Sequence, residues 1–210
     1  MNEAESGQKI FIVDDDEALR DSLVWLLESH GHAVAAFGCA RDFLAAWKKE
    51  LIGCLLLDVR MPDMSGPELF EELARRYSTL PVIFITGHGD VPMAVAALKK
   101  GAVDFIEKPF AGSDMLHIVT HCLVREREER ERRRAGADTA RRLAQLTARE
   151  REVLELIVAG KLNKQIAGTL GISIKTVEVH RSRLMEKMGA RSLASLIRQI
   201  MSARTDEARG

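Results

Sequence analysis

The sequence predicts two folded units in series: a doubly wound α/β domain on a five-stranded parallel sheet, then an all-α, four-helix helix-turn-helix domain. Three observations predict it. Five short apolar runs alternate with amphipathic stretches over the first 123 residues, a charged stretch nearly devoid of core residues follows, and four capped helical patterns come after it.

The candidate strands are KIFIV (9–13), HAVAAF (32–37), GCLLLD (53–58), PVIFIT (81–86) and AVDFIE (102–107). Helical patterns begin near Asp16, Ala40, Pro67 and Pro92, and a fifth follows Gly112. Strands separated by single helices imply right-handed crossovers and a parallel sheet, and the central runs are apolar throughout, as strands covered on both faces are. This domain is assigned to residues 7–123.

Residues 124–143, VREREERERRRAGADTARRL, form the boundary. Glu and Arg spaced at i, i+3 and i+4 suit a helical extension of the first domain, either a charged solvated linker or a helical dimerising stalk, with Gly136 as its expected break. The second domain is assigned to residues 144–205. Thr147 is its first N-cap, Glu150 completes a capping box and Gly160 stops the helix. A second helix runs from Asn163 to near Gly171, Ser173 caps a third that ends at Gly189, and Ser192 caps a fourth through about Ala203. The short turn around Gly171 makes the middle pair a helix-turn-helix.

Charge separates the same two units. Lys plus Arg equals Asp plus Glu overall, at 31 each, yet residues 1–123 hold 11 basic against 19 acidic side chains and residues 144–203 hold ten against five. A basic second half favours a nucleic-acid partner there, because Lys and Arg displace counterions from phosphates. Cys39, Cys54 and Cys122 are odd in number and widely spaced, which excludes a disulfide framework or a zinc site and suits a reducing cytosol. No apolar stretch approaches the roughly 20 residues that span a bilayer, and the N-terminus lacks a basic, apolar leader, so a cytoplasmic protein without membrane contact is expected.

In an open parallel sheet, chemistry gathers at the carboxyl ends of the strands. Asp14, Asp15 and Asp16 follow the first strand, Asp58 ends the third, Thr86 ends the fourth, and Lys108 and Pro109 follow the fifth. Clustered carboxylates repel one another unless a hard cation holds them, and Mg²⁺ takes oxygen ligands, so a Mg²⁺ site is expected. One carboxylate can then attack phosphorus, with Lys108 neutralising the phosphoryl oxygens and the Thr86 hydroxyl donating to one of them. Asp16 has a simpler use as a helix N-cap.

The strings IFIVDDDEALR, LLLDVRMPDMSGPEL and PVIFITGHGDVPMAVAALKKGAVDFIEKPF resemble the flavodoxin-like receiver domains of two-component response regulators, most closely the FixJ-like subgroup. The resemblance implies that Asp58 is the phosphoacceptor, served by a sensor histidine kinase. It makes Asp14 and Asp15 the acidic pair, Asp15 the more direct Mg²⁺ ligand, and the backbone carbonyl of Arg60 a further ligand. It gives Thr86 and Lys108 switch and phosphate-pairing roles, makes the Lys108–Pro109 bond cis, and makes Phe105 the aromatic switch. It also implies homodimerisation on phosphorylation through the fourth helix, fifth strand and fifth helix, a face that would include Val91, Ala94, Val95, Leu98 and Lys99. His88, between Gly87 and Gly89, reads as part of a switch loop rather than as a catalytic base.

The string from Leu146 to Arg198 resembles the LuxR/NarL-type helix-turn-helix, with the helix from Ile174 as the recognition helix in the major groove. Ile174, Val177, Leu184 and Met188 fall on its core face, and Lys175, Thr176, Glu178, Val179, Ser182 and Arg183 on its exposed side. Lys164, Arg181, Arg183 and Lys187 suit phosphates; Lys175, Glu178, Val179 and Ser182 suit base edges or thymine methyls. Glu178 departs from relatives that carry a basic residue there, which puts any borrowed operator sequence in doubt. His180 suits packing or backbone contact better than a metal.

The expected activity is therefore phosphorylation-dependent binding to double-stranded promoter DNA. An Asp-nucleophile phosphatase is the alternative, but haloacid-dehalogenase enzymes need a second Asp two residues on, where this chain has Arg60. That leaves autophosphotransfer and slow self-hydrolysis in place of substrate turnover. An RNA-binding output is opposed by the lack of aromatic stacking platforms in the second half.

Overall fold

The computed structural model describes residues 7–87 and 91–207. Its first half alternates β1 (Lys9–Val13), α1 (Glu17–Ser29), β2 (Val34–Phe37), α2 (Ala40–Ala46), β3 (Gly53–Asp58), α3 (Gly66–Arg75), β4 (Val82–Thr86), α4 (Val91–Lys99), β5 (Asp104–Glu107) and α5 (Gly112–Ala144). All strand pairs are parallel, in the order β2-β1-β3-β4-β5. The chain leaves β1 for β2 on one side and returns to β3 on the other, which puts the switch point between β1 and β3.

Strand periodicity of two divides the core. Phe11, Val13, Leu55, Leu57, Val82 and Phe84 face one side, packed with Phe43 of α2 and with Leu69 and Leu73 of α3. Ile10, Ile12, Cys54, Leu56, Ile83 and Ile85 face the other, packed with Leu23 and Leu27 of α1 and Met115 and Val119 of α5. Central β3 is accordingly buried at all six positions, whereas edge strand β2 is only partly covered. Each fully buried Leu or Ile stabilises the fold by about 1.5–3 kcal/mol.

Local signals set the helix starts. Asp16 caps α1 by accepting from the Leu19 N–H at 3.1 Å, and Ser65 with Glu68 forms a capping box on α3. At α5 the expectation fails: the helix continues through Gly136. One glycine costs a helix only about 1 kcal/mol against alanine, and Asp138 offsets this by pairing with Arg141 and Arg142 one turn on. The chain divides into compact units between Glu129 and Arg130, inside the span read from sequence as linker.

The second unit comprises the end of α5, α6 (Ala148–Val158), α7 (Asn163–Leu170), α8 (Ile174–Met188) and α9 (Leu193–Glu207). Val153, Leu154, Ile157, Ile166, Val177, Leu184, Met188, Leu196 and Ile200 form its core. Gly171 and Gly189 close α7 and α8 in the left-handed conformation. Ile174 departs from its expected core role and is 46% exposed. Helical side chains lean toward the N-terminus, so a residue in the first position reaches beyond its own helix, away from the packed face.

The α6 capping box is buried: Glu150, 2% exposed, accepts from the Thr147 N–H at 2.9 Å and from Lys187 Nζ at 2.7 Å. Lys187, then the Thr147 N–H, hold its carboxyl down at about 2. A carboxyl depressed on folding stabilises above its unfolded value of 4.5 and loses that contribution as pH falls from there toward about 2. Glu150→Gln is expected to cost the C-terminal unit about 2 kcal/mol at neutral pH, by leaving Lys187 unpaired, and to flatten the acid dependence. Urea melts followed by circular dichroism at neutral pH and at about pH 3 check this; an acid dependence as steep as that of the unsubstituted chain would overturn it.

Candidate functional site

Asp14 directly follows β1, Asp58 ends β3, Thr86 ends β4 and Lys108 follows β5, so parallel strand direction brings all four to one rim. Asp14 and Thr86 are fully buried and Asp58 is 6% exposed. Lys108 Nζ lies 3.0 Å from Asp14 Oδ2 and 2.6 Å from Asp58 Oδ1. The Arg60 N–H donates to Asp58 Oδ2 at 2.7 Å, and the Asp16 N–H donates to Asp14 Oδ1 at 2.9 Å. The Thr86 carbonyl accepts from the Lys108 N–H at 2.7 Å, while the Thr86 hydroxyl donates to the Gly87 carbonyl at 3.3 Å. The Lys108–Pro109 bond is cis.

Two buried carboxylates thus share one ammonium. Burial pushes the Asp58 carboxyl above its ordinary range; the Lys108 hydrogen bond opposes this and the charge of Asp14 reinforces it. For Lys108, burial alone would depress the ammonium, but its hydrogen bonds to Asp58 and Asp14 prevail and hold it above the usual lysine value. The rim is left with more negative than positive charge, and its donors are carboxylate and carbonyl oxygens, the ligand type a hard divalent cation takes. Asp15 is exposed, and among the described residues no three Asp, Glu, His or Cys side chains are gathered tightly enough to form a ready cation cage.

Phe105 is half-buried and packs against the core on the α3 and α4 side of the sheet. On α4, Val95 is 40% exposed, Lys99 is exposed and Leu98 is partly buried; His88 and the side chains of Val91 and Ala94 lie outside the described residues. Two features of the rim escape sequence reading. Arg20 Nη1 donates to the Asp14 carbonyl at 2.8 Å and steadies the acidic loop. Gly66, opening α3, sits so close to the backbone of Asp58 that a Cβ there would lie 2.2 Å from the Asp58 carbonyl oxygen. A basic residue soon after the acidic run and a glycine before Pro67 are the only sequence hints of these contacts.

In the second unit, α8 exposes Lys175, Thr176, Glu178, Val179, Ser182 and Arg183, and Lys164 is exposed on α7. The opposite face of α8, with Val177, Leu184 and Met188, is buried. Other candidates already have protein partners. Arg181 donates to Asn163 Oδ1 at 2.6 Å, Lys187 is engaged by Glu150, and the Thr176 hydroxyl lies 2.8 Å from that of Ser173. His180 is half-buried and belongs to no metal-ligating cluster among the described residues.

Comparison with known proteins gives two family matches: a response regulator receiver domain over residues 10–120 and the luxR family of bacterial regulatory proteins over residues 144–200. The chain is 49% identical over 191 residues to the C4-dicarboxylate transport transcriptional regulatory protein DctR of Rhodobacter capsulatus, covering 90% of this chain and 97% of that one. It is 47% identical over 194 residues to the transcriptional regulatory protein FixJ of Azorhizobium caulinodans, covering 92% of each. Among solved structures, response regulator StyR matches with a TM-score of 0.82 at 44% identity, over 92% of this chain and 98% of that one.

Proposed function

This chain belongs to the two-component response regulators, as a receiver followed by a LuxR-type DNA-binding domain, and from that premise we propose that Asp58 accepts a phosphoryl group from a cognate sensor histidine kinase. The observation that carries the reading is the pair of buried carboxylates, Asp14 and Asp58, held by the half-buried Lys108 at the switch point between β1 and β3. Asp58 attacks phosphorus; its oxygen gains the P–O bond as the P–N bond to the kinase histidine breaks. Lys108 pairs with a phosphoryl oxygen in place of the Asp58 carboxylate oxygen it now holds. Asp14, Asp15, Asp58 and the Arg60 carbonyl are the residues that would hold Mg²⁺, which supplies neutralisation of phosphoryl charge. Arg60 occupies the place where a phosphatase carries its general acid, so the acyl phosphate persists and serves as a signal; self-hydrolysis is slow.

The added charge of about two units draws the Thr86 hydroxyl from Gly87 to the phosphoryl oxygens. Phe105 turns into the vacated space, and the face of α4, β5 and α5 changes and pairs with that of a second copy. Two DNA-binding units then act on adjacent half-sites of promoter DNA, each gaining from the raised effective concentration of the other. On α8, Lys175, Glu178, Val179 and Ser182 meet base edges, and Arg183 with Lys164 meets phosphates. Arg181 and Lys187 already serve Asn163 and Glu150 and meet phosphate with the donors these bonds leave. No described helix is long and apolar enough to cross a membrane, and a DNA partner suits a cytoplasmic site of action.

The test is incubation with acetyl phosphate and Mg²⁺, followed by intact mass and sedimentation. A gain of one phosphoryl group with a shift from monomer to dimer is expected. An unchanged mass would overturn the phosphoacceptor role, and a phosphorylated monomer would overturn the dimerisation step.

A further inference from the structure

The last turns of α5 do more than connect the two units. We propose that Arg142 is a positioning residue for DNA recognition: with Asp138 and Gly189 it clamps the carboxyl end of α8 and so sets how that helix presents its base-reading side chains. The inference rests on the DNA-binding assignment above and concerns contacts made wholly within the second unit.

Arg142 Nη1 donates to the Met188 carbonyl at 2.8 Å. Met188 is the last residue of α8, where carbonyls lack intrahelical donors and the helix dipole favours a cation. The guanidinium is held in place from its own helix: Nε donates to Asp138 Oδ2 at 2.7 Å, and Arg141 binds the other Asp138 oxygen. Space for the clamp comes from the turn after α8. Gly189 is left-handed, with φ 62°, and a Cβ there would lie 2.0 Å from Arg142 Nη1. Two segments 46 residues apart in sequence are thus fitted to one contact. A second tie holds the same helix end, since Lys187 Nζ donates to Glu150 and, at 3.3 Å, to the Gln145 carbonyl.

Geometry links the clamp to recognition. Three of the candidate base-reading residues, Lys175, Glu178 and Val179, lie in the amino-terminal half of α8 and Ser182 near its middle, in a helix that at 15 residues is about 20 Å long. A tilt of about 5° at a released end moves the far end by about 2 Å, more than a base-edge hydrogen bond tolerates. Phosphate contacts from flexible Arg and Lys side chains tolerate such a shift. Loss of the clamp therefore weakens sequence discrimination more than it weakens general attraction to DNA.

The experiment uses the full-length protein, a duplex enriched from random sequence by the unsubstituted chain, and a scrambled duplex of equal length. Affinities are measured by fluorescence anisotropy over a range of salt. Arg142→Met is expected to lose about tenfold in affinity for the enriched duplex and less than about twofold for the scrambled one, with an unchanged salt slope. Gly189→Ala, which displaces the guanidinium without removing it, is expected to behave alike, and Arg142→Lys to recover part of the discrimination. Equal losses on both duplexes with a salt slope smaller by about one would make Arg142 a phosphate contact and overturn the proposal. Unchanged discrimination in both Arg142→Met and Gly189→Ala would overturn it too. Should Arg142→Met fail to fold by circular dichroism, Asp138→Asn and Gly189→Ala carry the same test. An unsubstituted chain that enriches no duplex would instead overturn the DNA-binding assignment.

Discussion

Asp58→Asn is expected to abolish phosphoryl uptake: after acetyl phosphate and Mg²⁺ the variant should keep its unmodified mass while the unsubstituted chain gains one phosphoryl group. An amide nitrogen or oxygen has too little nucleophilicity to replace a carboxylate in the attack on phosphorus. The same substitution should not harm the fold. Burial and the neighbouring Asp14 raise the Asp58 carboxyl, and a carboxyl raised on folding costs stability as pH climbs through its folded value. Asparagine removes that cost and leaves Lys108 to Asp14, 3.0 Å away, so the receiver should be at least as stable to urea at neutral pH. The two readouts together separate chemistry from structure. A phosphoryl gain that survives Asp58→Asn would place the acceptor elsewhere, and a marked fall in stability would show that the Lys108–Asp58 pair holds the rim together more than their mutual burial strains it.

Much of this site is legible in the chain because strand ends are legible. The runs KIFIV and GCLLLD match β1 and β3 residue for residue, and once the sheet is parallel their final and following residues must share a rim. The expected caps at Asp16, Thr147 and Ser173 are formed, since each rests on a hydrogen bond within one helical turn. What the sequence hides is pairing across distance. Lys187 looks like a free cation on a helix face, yet Glu150, 37 residues away, takes it; Arg181 is taken by Asn163 in the same way. Gly136 has the local mark of a helix break, but α5 runs through it, its modest cost offset by the charged pairs that follow. Arg20, Gly66 and Arg142 act on backbone carbonyls, and backbone partners leave no residue-type signature to read.

Gly53 opens β3 and is the position where one added methyl should do most damage to the receiver. Its φ is +130°, and a Cβ there would lie 1.8 Å from the Lys9 carbonyl oxygen and 2.7 Å from the Lys9 nitrogen. Lys9 is its partner in the parallel ladder, and the Lys9 N–H already donates to the Ile52 carbonyl at 3.0 Å. Neither neighbour is a flexible side chain that can move aside, so Gly53→Ala has to part β1 from β3 at their amino ends. Backbone strain of about 1–3 kcal/mol and a similar overpacking cost combine to about 3–5 kcal/mol. That is a large share of the roughly 5–15 kcal/mol by which a domain is stable. Gly101 supplies the control, because its φ is +106° but nothing lies within 4 Å of the Cβ it would gain. Gly101→Ala should show strain alone, about 1 kcal/mol, in the same urea titration. A Gly53→Ala loss no greater than that of Gly101→Ala would mean the two strands separate at little cost. The expected larger loss would show that the β1–β3 junction is rigid along its length. Such rigidity fits a strand pair whose carboxyl ends must keep Asp14 and Asp58 within reach of the same lysine.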